Sequence, residues 1–253
     1  MMMNFSGKVV IVTGGTSGIG RAAAIAYAQQ GANVVIASRR VIEGEETVKI
    51  IKDAGGEAFF IQTDVTQESD VKAMVDKTVE VFGRLDIAFN NAGAYGESPS
   101  LSEQLDSEYD RIMNVNVRGV WLSMKHEIAQ MQSQGNGALV NTSSILGVVA
   151  MPSVPLYTAS KYAVEGLTKA AALQYAKSGI RINAVGPGAI ATEMFETATD
   201  GQDEAKAYMA GLHPMGRVGQ PSEVANAVLW LSSDDASFTT GETLMVDGGY
   251  IAQ

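Results

Sequence analysis

The stretch PLYTASKYAVEGL (155–167) sets a phenol, Tyr157, and an ammonium, Lys161, four residues apart at the start of an Ala-rich segment of helical period. Residues at i and i+4 share one helix face, so the ammonium can stand beside the phenol and favour the phenolate. A phenol ordinarily titrates at about 10. With a cation beside it, and the positive ring of an oxidised nicotinamide nearby, it becomes usable as a general acid and base near neutral pH. That suits a reaction in which an alkoxide is made or consumed, as in hydride transfer between a nicotinamide and a carbonyl or alcohol carbon. Ser144 precedes the tyrosine at the end of the strand-like run ALVNTSS; its hydroxyl can hold the substrate oxygen and stabilise the developing charge. Ser143 is its competitor, and since strand side chains alternate, only one of the two faces the site. Taken alone, Y-x-x-x-K also describes an amphipathic surface pair, so the elements around it must decide.

Those elements alternate. KVVIVT (8–13), NVVIAS (33–38), EAFFIQTD, LDIAFNNAG, GALVNTSS, IRINAVGPG and TLMVDGG read as short β-branched runs. Between them lie segments of helical period, at about 18–30, EGEETVKIIKDAG, DVKAMVDKTVEVFG, about 107–134, about 155–177 and about 221–232, with a polar segment around 197–206. Apolar runs bounded by glycine suit central parallel strands covered by helices on both faces. The expected fold is therefore an α/β, doubly wound, Rossmann-type parallel sheet. No repeat, low-complexity tract or proline-rich linker marks a second domain, so a single domain over 1–253 is expected.

The first strand runs into VTGGTSGIGRAAAIAYAQQG, with glycines at 14, 18 and 20. Gly14 can turn the chain sharply, Gly18 lets the backbone approach a pyrophosphate, and Gly20 lets the helix lie close to the sheet; the unpaired amides of the helix start point at the anion. The spacing is G-x-x-x-G-x-G, which departs from the commoner G-x-G-x-x-G. At the end of the second strand come Ser38, Arg39 and Arg40. Two guanidiniums there favour a 2′-phosphate and hence NADP(H). Glu43 lies close enough to keep NAD(H) open.

The chain has 253 residues, 46% of them hydrophobic, enough for a sizeable core. With no cysteine and only His126 and His213 as histidines, neither disulfides nor a dedicated transition-metal centre is expected. A formal net charge of −10 argues against a nucleic-acid surface. MMMNFSGKVVIVTGG lacks the charged, apolar and small-residue order of a leader peptide, and no stretch approaches the length of a membrane span. A cytoplasmic protein with a small-molecule ligand is expected.

With TGGTSGIG (13–20), DV (64–65), NNAG (90–93), NVRG (116–119), Ser144, YTASK (157–161), PG (187–188) and VDGG (246–249) in this order, the chain resembles the short-chain dehydrogenase/reductase family over essentially its whole length. The resemblance implies that Tyr157 is the general acid/base, that Lys161 lowers its pKa and holds the nicotinamide ribose, and that Ser144 polarises the carbonyl. It gives Asn116, rather than Asn114, a proton relay through water to Lys161. It places the cofactor against Gly14, Thr16, Ser17, Gly18, Ile19 and Gly20, with Asp64 and Val65 bracketing the adenine and Asn91, Ala92 and Gly93 along the adenosine. Pro187, Gly188, Ile190 and Thr192 would hold the nicotinamide end. An arginine at position 39 goes with NADP(H) in this family, whereas the family's further NADP marker, a basic residue at position 17, is replaced by Ser17.

The substrate pocket implied by resemblance draws on Tyr95, Ile145, Leu146, Met151, Val154, Met194, Phe195 and Leu212, with a small lid at about 189–217. This mainly apolar set suggests a hydrophobic ketone or secondary alcohol, and a carbonyl reductase is the leading expectation. A 3-oxoacyl-[acyl-carrier-protein] reductase, a glucose-type sugar dehydrogenase and a non-catalytic NADP(H)-sensing protein are the alternatives. The loop QMQSQGNG (130–137) has no basic residue for an acidic carrier protein. Filled catalytic positions count against a sensor. The long helices and the C-terminal segment resemble the family's dimer and tetramer interfaces, so a homotetramer is expected.

Overall fold

The computed structural model describes residues 3–96 and 100–253; Met1 and Met2, at the start of the segment read above for a leader, lie outside the described residues. Strands and helices alternate as β1 (Val9–Thr13), α1 (Gly18–Gln29), β2 (Asn33–Ser38), α2 (Val41–Asp53), β3 (Glu57–Gln62), α3 (Glu68–Phe82) and β4 (Ile87–Asn90). They continue with α4 (Asp106–Met113), α5 (Gly119–Gln134), β5 (Gly137–Thr142), α6 (Pro155–Tyr175), β6 (Ile180–Pro187), α7 (Glu193–Ala198), α8 (Asp203–Gly211), α9 (Pro221–Ser232) and β7 (Thr243–Val246). The strands form one parallel sheet in the order β3-β2-β1-β4-β5-β6-β7.

The two faces follow from the period-2 alternation of the strands. Val10, Val12, Val34 and Ile36 join Ala24, Tyr27, Val224 and Val228 in a core beneath α1 and α9. Ile11 and Val35, one residue out of phase, join Met74, Leu122, Ile128 and Val164 beneath α3, α5 and α6 on the other face. Being buried on both sides, β1 and β2 cannot alternate with polar residues, which is why their runs are continuous and β-branched. Pro155 and Pro221 open α6 and α9 at positions that need no amide donor.

Strand order reverses between β1 and β4, so the loops after these two strands separate at their C-terminal ends and leave a crevice, the usual ligand position in an open α/β sheet. Asn91 ties the two sides of this crevice together: its Nδ2 donates to the carbonyls of Thr13 (3.2 Å) and Gly14 (3.3 Å), and its backbone N–H donates to Thr13 Oγ1 (3.0 Å).

Two parts of the chain differ from expectation. The long helix at about 107–134 is interrupted by a π-helical turn, Asn114–Arg118, between α4 and α5. The extra residue in that turn rotates the backbone, so that Asn116 is fully buried while Asn114 stays exposed. The polar segment around 197–206 is largely helical, contributing to α7 and α8. Among the described residues, no helix is long and apolar enough to cross a membrane.

Candidate active site

A cleft of about 500 Å³ opens at the C-terminal ends of the strands. One half is lined by the turn after β1, with Gly14, Thr16, Ser17, Gly18 and Ile19, by Arg39 and Arg40 after β2, Asp64 and Val65 after β3, and Asn91, Ala92 and Gly93 after β4. Ser144, Tyr157 and Lys161 stand at its centre, and Pro187, Gly188, Ile190 and Thr192 close the far side. Of the site residues expected from sequence, Gly20 and Asn116 lie just behind the wall.

The turn after β1 is shaped for a ligand's backbone-close approach. Gly14 and Gly18 adopt φ of +67° and +50°, where a Cβ is strained. A Cβ on Gly20 would lie 2.3 Å from the Gly14 carbonyl oxygen and 2.6 Å from Asn91 Nδ2, so α1 can start this close to the sheet only with glycine there. Ser17, at the N-cap, makes no side-chain cap bond. The first amides of α1 therefore remain without an intrahelical acceptor and border the cleft, a ready seat for a pyrophosphate. Donors, close-approach glycines and an elongated cleft together fit a dinucleotide.

At the β2 end the two arginines differ. Arg40 Nη2 donates to Ser17 Oγ (2.6 Å) and Thr16 Oγ1 (3.2 Å), and Nη1 pairs with Glu193 (3.0 Å) and lies 3.6 Å from Glu43. Arg39 is exposed and its guanidinium has no hydrogen bond or ion pair among the described residues. Asp64 accepts from the Thr66 backbone N–H and hydroxyl (3.0 and 2.9 Å), which fixes the loop after β3.

Beside Tyr157, Ser143 and Ser144 lie just past the end of β5, and both border the cleft, so the alternation expected from sequence does not divide them. Ser144 Oγ accepts the Leu146 N–H at 3.1 Å, and Ser144 lines the cleft together with Tyr157. Ser143 is buried and also borders the cleft; its Oγ lies where a Cβ on Gly147 would meet it at 2.5 Å, with Glu165 Oε1 at 3.1 Å. The Tyr157 ring packs against Tyr95, with centroids 5.2 Å apart at 56°.

Lys161 is placed less simply than the i, i+4 spacing suggests. Its Nζ donates to the Thr142 carbonyl at 2.8 Å and stands 5.4 Å from the centroid of the Tyr157 ring. Burial dominates both groups. It pushes the phenol above its usual value, against the opposing influence of the Ser144 hydroxyl, and it lowers the Lys161 ammonium to about 8, against the attraction of Glu165. Burial therefore holds Tyr157 protonated, and the lowering by Lys161 expected from sequence is not among the influences on the phenol.

Asn116 is a clamp. Its Oδ1 accepts the Ala94 N–H (2.7 Å), and its Nδ2 donates to the Ala94 carbonyl (2.9 Å) and to Ser160 Oγ (3.0 Å). It thereby joins the loop after β4 to α6. A Cβ on Gly93 would sit 3.6 Å from Asn116 Oδ1 and 3.9 Å from Lys161 Nζ, so glycine leaves open the space between these two groups.

Beyond Tyr157 the wall is apolar, formed by Tyr95, Ile145, Leu146, Met151, Met194 and Phe195, as expected from sequence. Val154 instead packs behind this wall with Ile145 and Leu146, and Leu212 does not reach it. Ala198 and Met209, which sequence reading missed, complete it. Ala198 lies in the segment read as polar and Met209 just beyond it, where the helices bury little and leave no apolar period to read. Thr192 Oγ1 accepts the Phe195 N–H (3.3 Å) and so caps α7. Below it, buried His213 accepts the Ala189 N–H on Nε2 (3.1 Å) and has Nδ1 2.8 Å from the Met209 carbonyl oxygen, fixing the start of this segment.

A family model described as "Enoyl-(Acyl carrier protein) reductase" matches residues 14–251. The chain belongs to the short-chain dehydrogenase/reductase family. Among its relatives, the 2,5-dichloro-2,5-cyclohexadiene-1,4-diol dehydrogenase of Sphingobium indicum is 44% identical over 99% of this chain and 100% of its own. The cyclohexanol dehydrogenase of an Acinetobacter strain is 42% identical over 100% and 98%. In three dimensions levodione reductase superposes with a TM-score of 0.96 at 36% identity, covering 98% of this chain and 99% of its own. Short-chain dehydrogenases/reductases are oxidoreductases that act on CH–OH groups with a nicotinamide dinucleotide, and that is the reaction class of this chain.

Proposed function

We propose that the protein interconverts a hydrophobic, alicyclic secondary alcohol and its ketone, with NADP(H) preferred and NAD(H) accepted. The observation that carries this is the convergence on Tyr157 of a polar and an apolar half of one cleft. The polar half suits a dinucleotide, and the apolar half is walled by Tyr95, Ile145, Leu146, Met151 and Phe195. A six-membered carbocycle offers such a wall only apolar surface apart from its oxygen. The dehydrogenases of a cyclohexadiene diol and of cyclohexanol among the relatives point the same way. Two methionines in the wall, Met151 and Met194, can adapt to rings of different substitution.

The bound nicotinamide would supply or accept the hydride. The remaining work falls to the chain. Ser144 Oγ, its lone pair engaged by the Leu146 N–H, turns its proton toward the substrate oxygen. Tyr157 gives that oxygen a proton in reduction and removes it in oxidation. Lys161, anchored on the Thr142 carbonyl, keeps a positive charge near the phenol when it ionises. Asn116 holds the Ala94 loop and α6 in register, and the gap over Gly93 leaves room for a water through which the proton can be replaced. The turn after β1 seats the pyrophosphate, Asp64, Val65 and Asn91–Gly93 flank the adenosine, and Pro187, Gly188, Ile190 and Thr192 border the nicotinamide.

In this reading residues 1–253 work as one cytoplasmic domain, with 189–217 as a lid, assembled into a homotetramer. Exposed Tyr109 and Trp121 on α4 and α5, and Tyr162 and Leu173 on α6, supply apolar surface for its interfaces.

The function is tested by following reduced nicotinamide with cyclohexanols and cyclohexanones, 3-oxoacyl thioesters and aldoses. Fastest turnover of the carbocycles supports the proposal. Preference for thioesters would transfer the assignment to acyl-chain reduction, preference for aldoses to sugar oxidation, and nucleotide binding without any turnover to a sensor. Arg39→Asp places a carboxylate where the free guanidinium stands. It should lower the preference for NADPH over NADH by about tenfold or more, the scale of losing a charge-assisted contact, read as the ratio of kcat/KM values. An unchanged ratio would remove Arg39 from phosphate recognition.

A further inference from the structure

We infer that Glu193 is a positioning residue that sets how strongly the site prefers one nicotinamide dinucleotide over the other: by holding the Arg40 guanidinium, it restrains the advantage of a 2′-phosphate. The inference rests on the reading that the cleft binds such a dinucleotide.

Glu193 is the first residue of α7, directly after its N-cap Thr192. From there its Oε2 reaches Arg40 Nη1 at 3.0 Å, across 153 positions of sequence. The other arm of the same guanidinium is on Ser17 and Thr16, in the turn that faces the cofactor. Both Arg40 and Glu193 line the cleft.

The charge balance at the end of β2 follows directly. Sequence shows two guanidiniums there, a site with a double positive charge. In the fold, Glu193 and Glu43 both stand by Arg40, so that two carboxylates face two guanidiniums. Arg39 alone is unencumbered. A 2′-phosphate, close to a dianion at neutral pH, gains Arg39 at once. It can gain Arg40 only by displacing Glu193, and it then carries its charge beside a freed carboxylate. A dinucleotide with a free 2′-hydroxyl leaves the Arg40–Glu193 pair intact. Glu193 therefore narrows the gap between the two cofactors, and neutralising it should widen the gap in favour of the phosphorylated one. The pair is partly exposed, with side chains 40% and 67% accessible, so the effect is a modest tuning rather than a switch.

The test is a fluorescence titration of NADPH and NADH, each alone, against the parent, Glu193→Gln, Arg40→Gln and the double variant at low salt. The expected result is a rise of about two- to fivefold in the Kd ratio of NADH to NADPH for E193Q. In the R40Q background the same change should have a clearly smaller effect, because the pair is already broken. Raising the ionic strength to about 0.5 M should compress the E193Q effect, since screening then acts within about 4–5 Å, whereas a purely structural loss would persist. Tight binding of both nucleotides with an unchanged ratio in E193Q would overturn this inference and leave the proposed function standing, as would an equal effect with and without Arg40. Failure of the parent to bind either nucleotide would overturn both.

Discussion

Tyr157→Phe is expected to lower turnover by about 10²–10⁴-fold, the range for removal of a general acid/base, while NADPH binding stays close to that of the parent. The ring keeps its packing against Tyr95 at 5.2 Å and only the hydroxyl is lost. That hydroxyl shares the cleft with Ser144, and burial holds its proton on, which suits the proposed role of protonating a substrate oxygen bound between the two. Steady-state kinetics alongside a binding titration read the two effects separately. Turnover within a few-fold of the parent would show that another group moves the proton.

Lys161→Met is expected to reduce turnover by at least about 10²-fold, since the phenolate formed in each cycle then has no cation nearby in a desolvated site. A second consequence concerns stability and carries a definite sign. The Lys161 ammonium is buried, and its pKa lies at about 8, below the ordinary 10.5. The folded state therefore binds the proton less tightly than the unfolded chain. The penalty for burying the charge is fully present below about pH 8 and is relieved as pH rises through the window up to 10.5. The nucleotide-free parent should gain stability relative to Lys161→Met across this window. Parallel denaturation midpoints for the two proteins from pH 7 to pH 10 would contradict a buried lysine of lowered proton affinity.

Much of this site can be read from local sequence because its parts are local. Gly14, Gly18 and Gly20 announce the turn, since each answers a backbone or contact requirement within one loop and the strand beside it. The Tyr157–Lys161 spacing and the buried β-branched strands are likewise short-range signals. Strand alternation could not choose between Ser144 and Ser143, because both lie beyond the last strand residue, Thr142. What escaped depends on contacts distant in sequence. Glu193 meets Arg40 only because α7 folds back over the turn after β1, and so a doubly positive site on paper is nearly neutral in space. The π turn at Asn114–Arg118 has no proline or internal glycine to mark it, yet it is what carries Asn116 into the interior. α7 and α8 looked like a polar connection because each buries little of its own surface and turns only a few residues, among them Phe195, Ala198 and Met209, toward the cleft. Lys161 shows the limit of spacing as a guide. Sharing a helix face with Tyr157 fixed its neighbourhood, but the Thr142 carbonyl fixed its ammonium, and burial set its proton affinity.

The proposed reaction is direct hydride exchange between a nicotinamide and the carbinol carbon of a carbocyclic alcohol, with Tyr157 handling the proton. The measurement that tests it most directly is reduction of a cyclohexanone by reduced nicotinamide dinucleotide carrying deuterium at the transferable position, with mass and NMR analysis of the product. The expected result is a cyclohexanol with deuterium on its carbinol carbon, formed by the parent and nearly absent with Tyr157→Phe. Product without deuterium at that carbon, or equal amounts from both proteins, would contradict it.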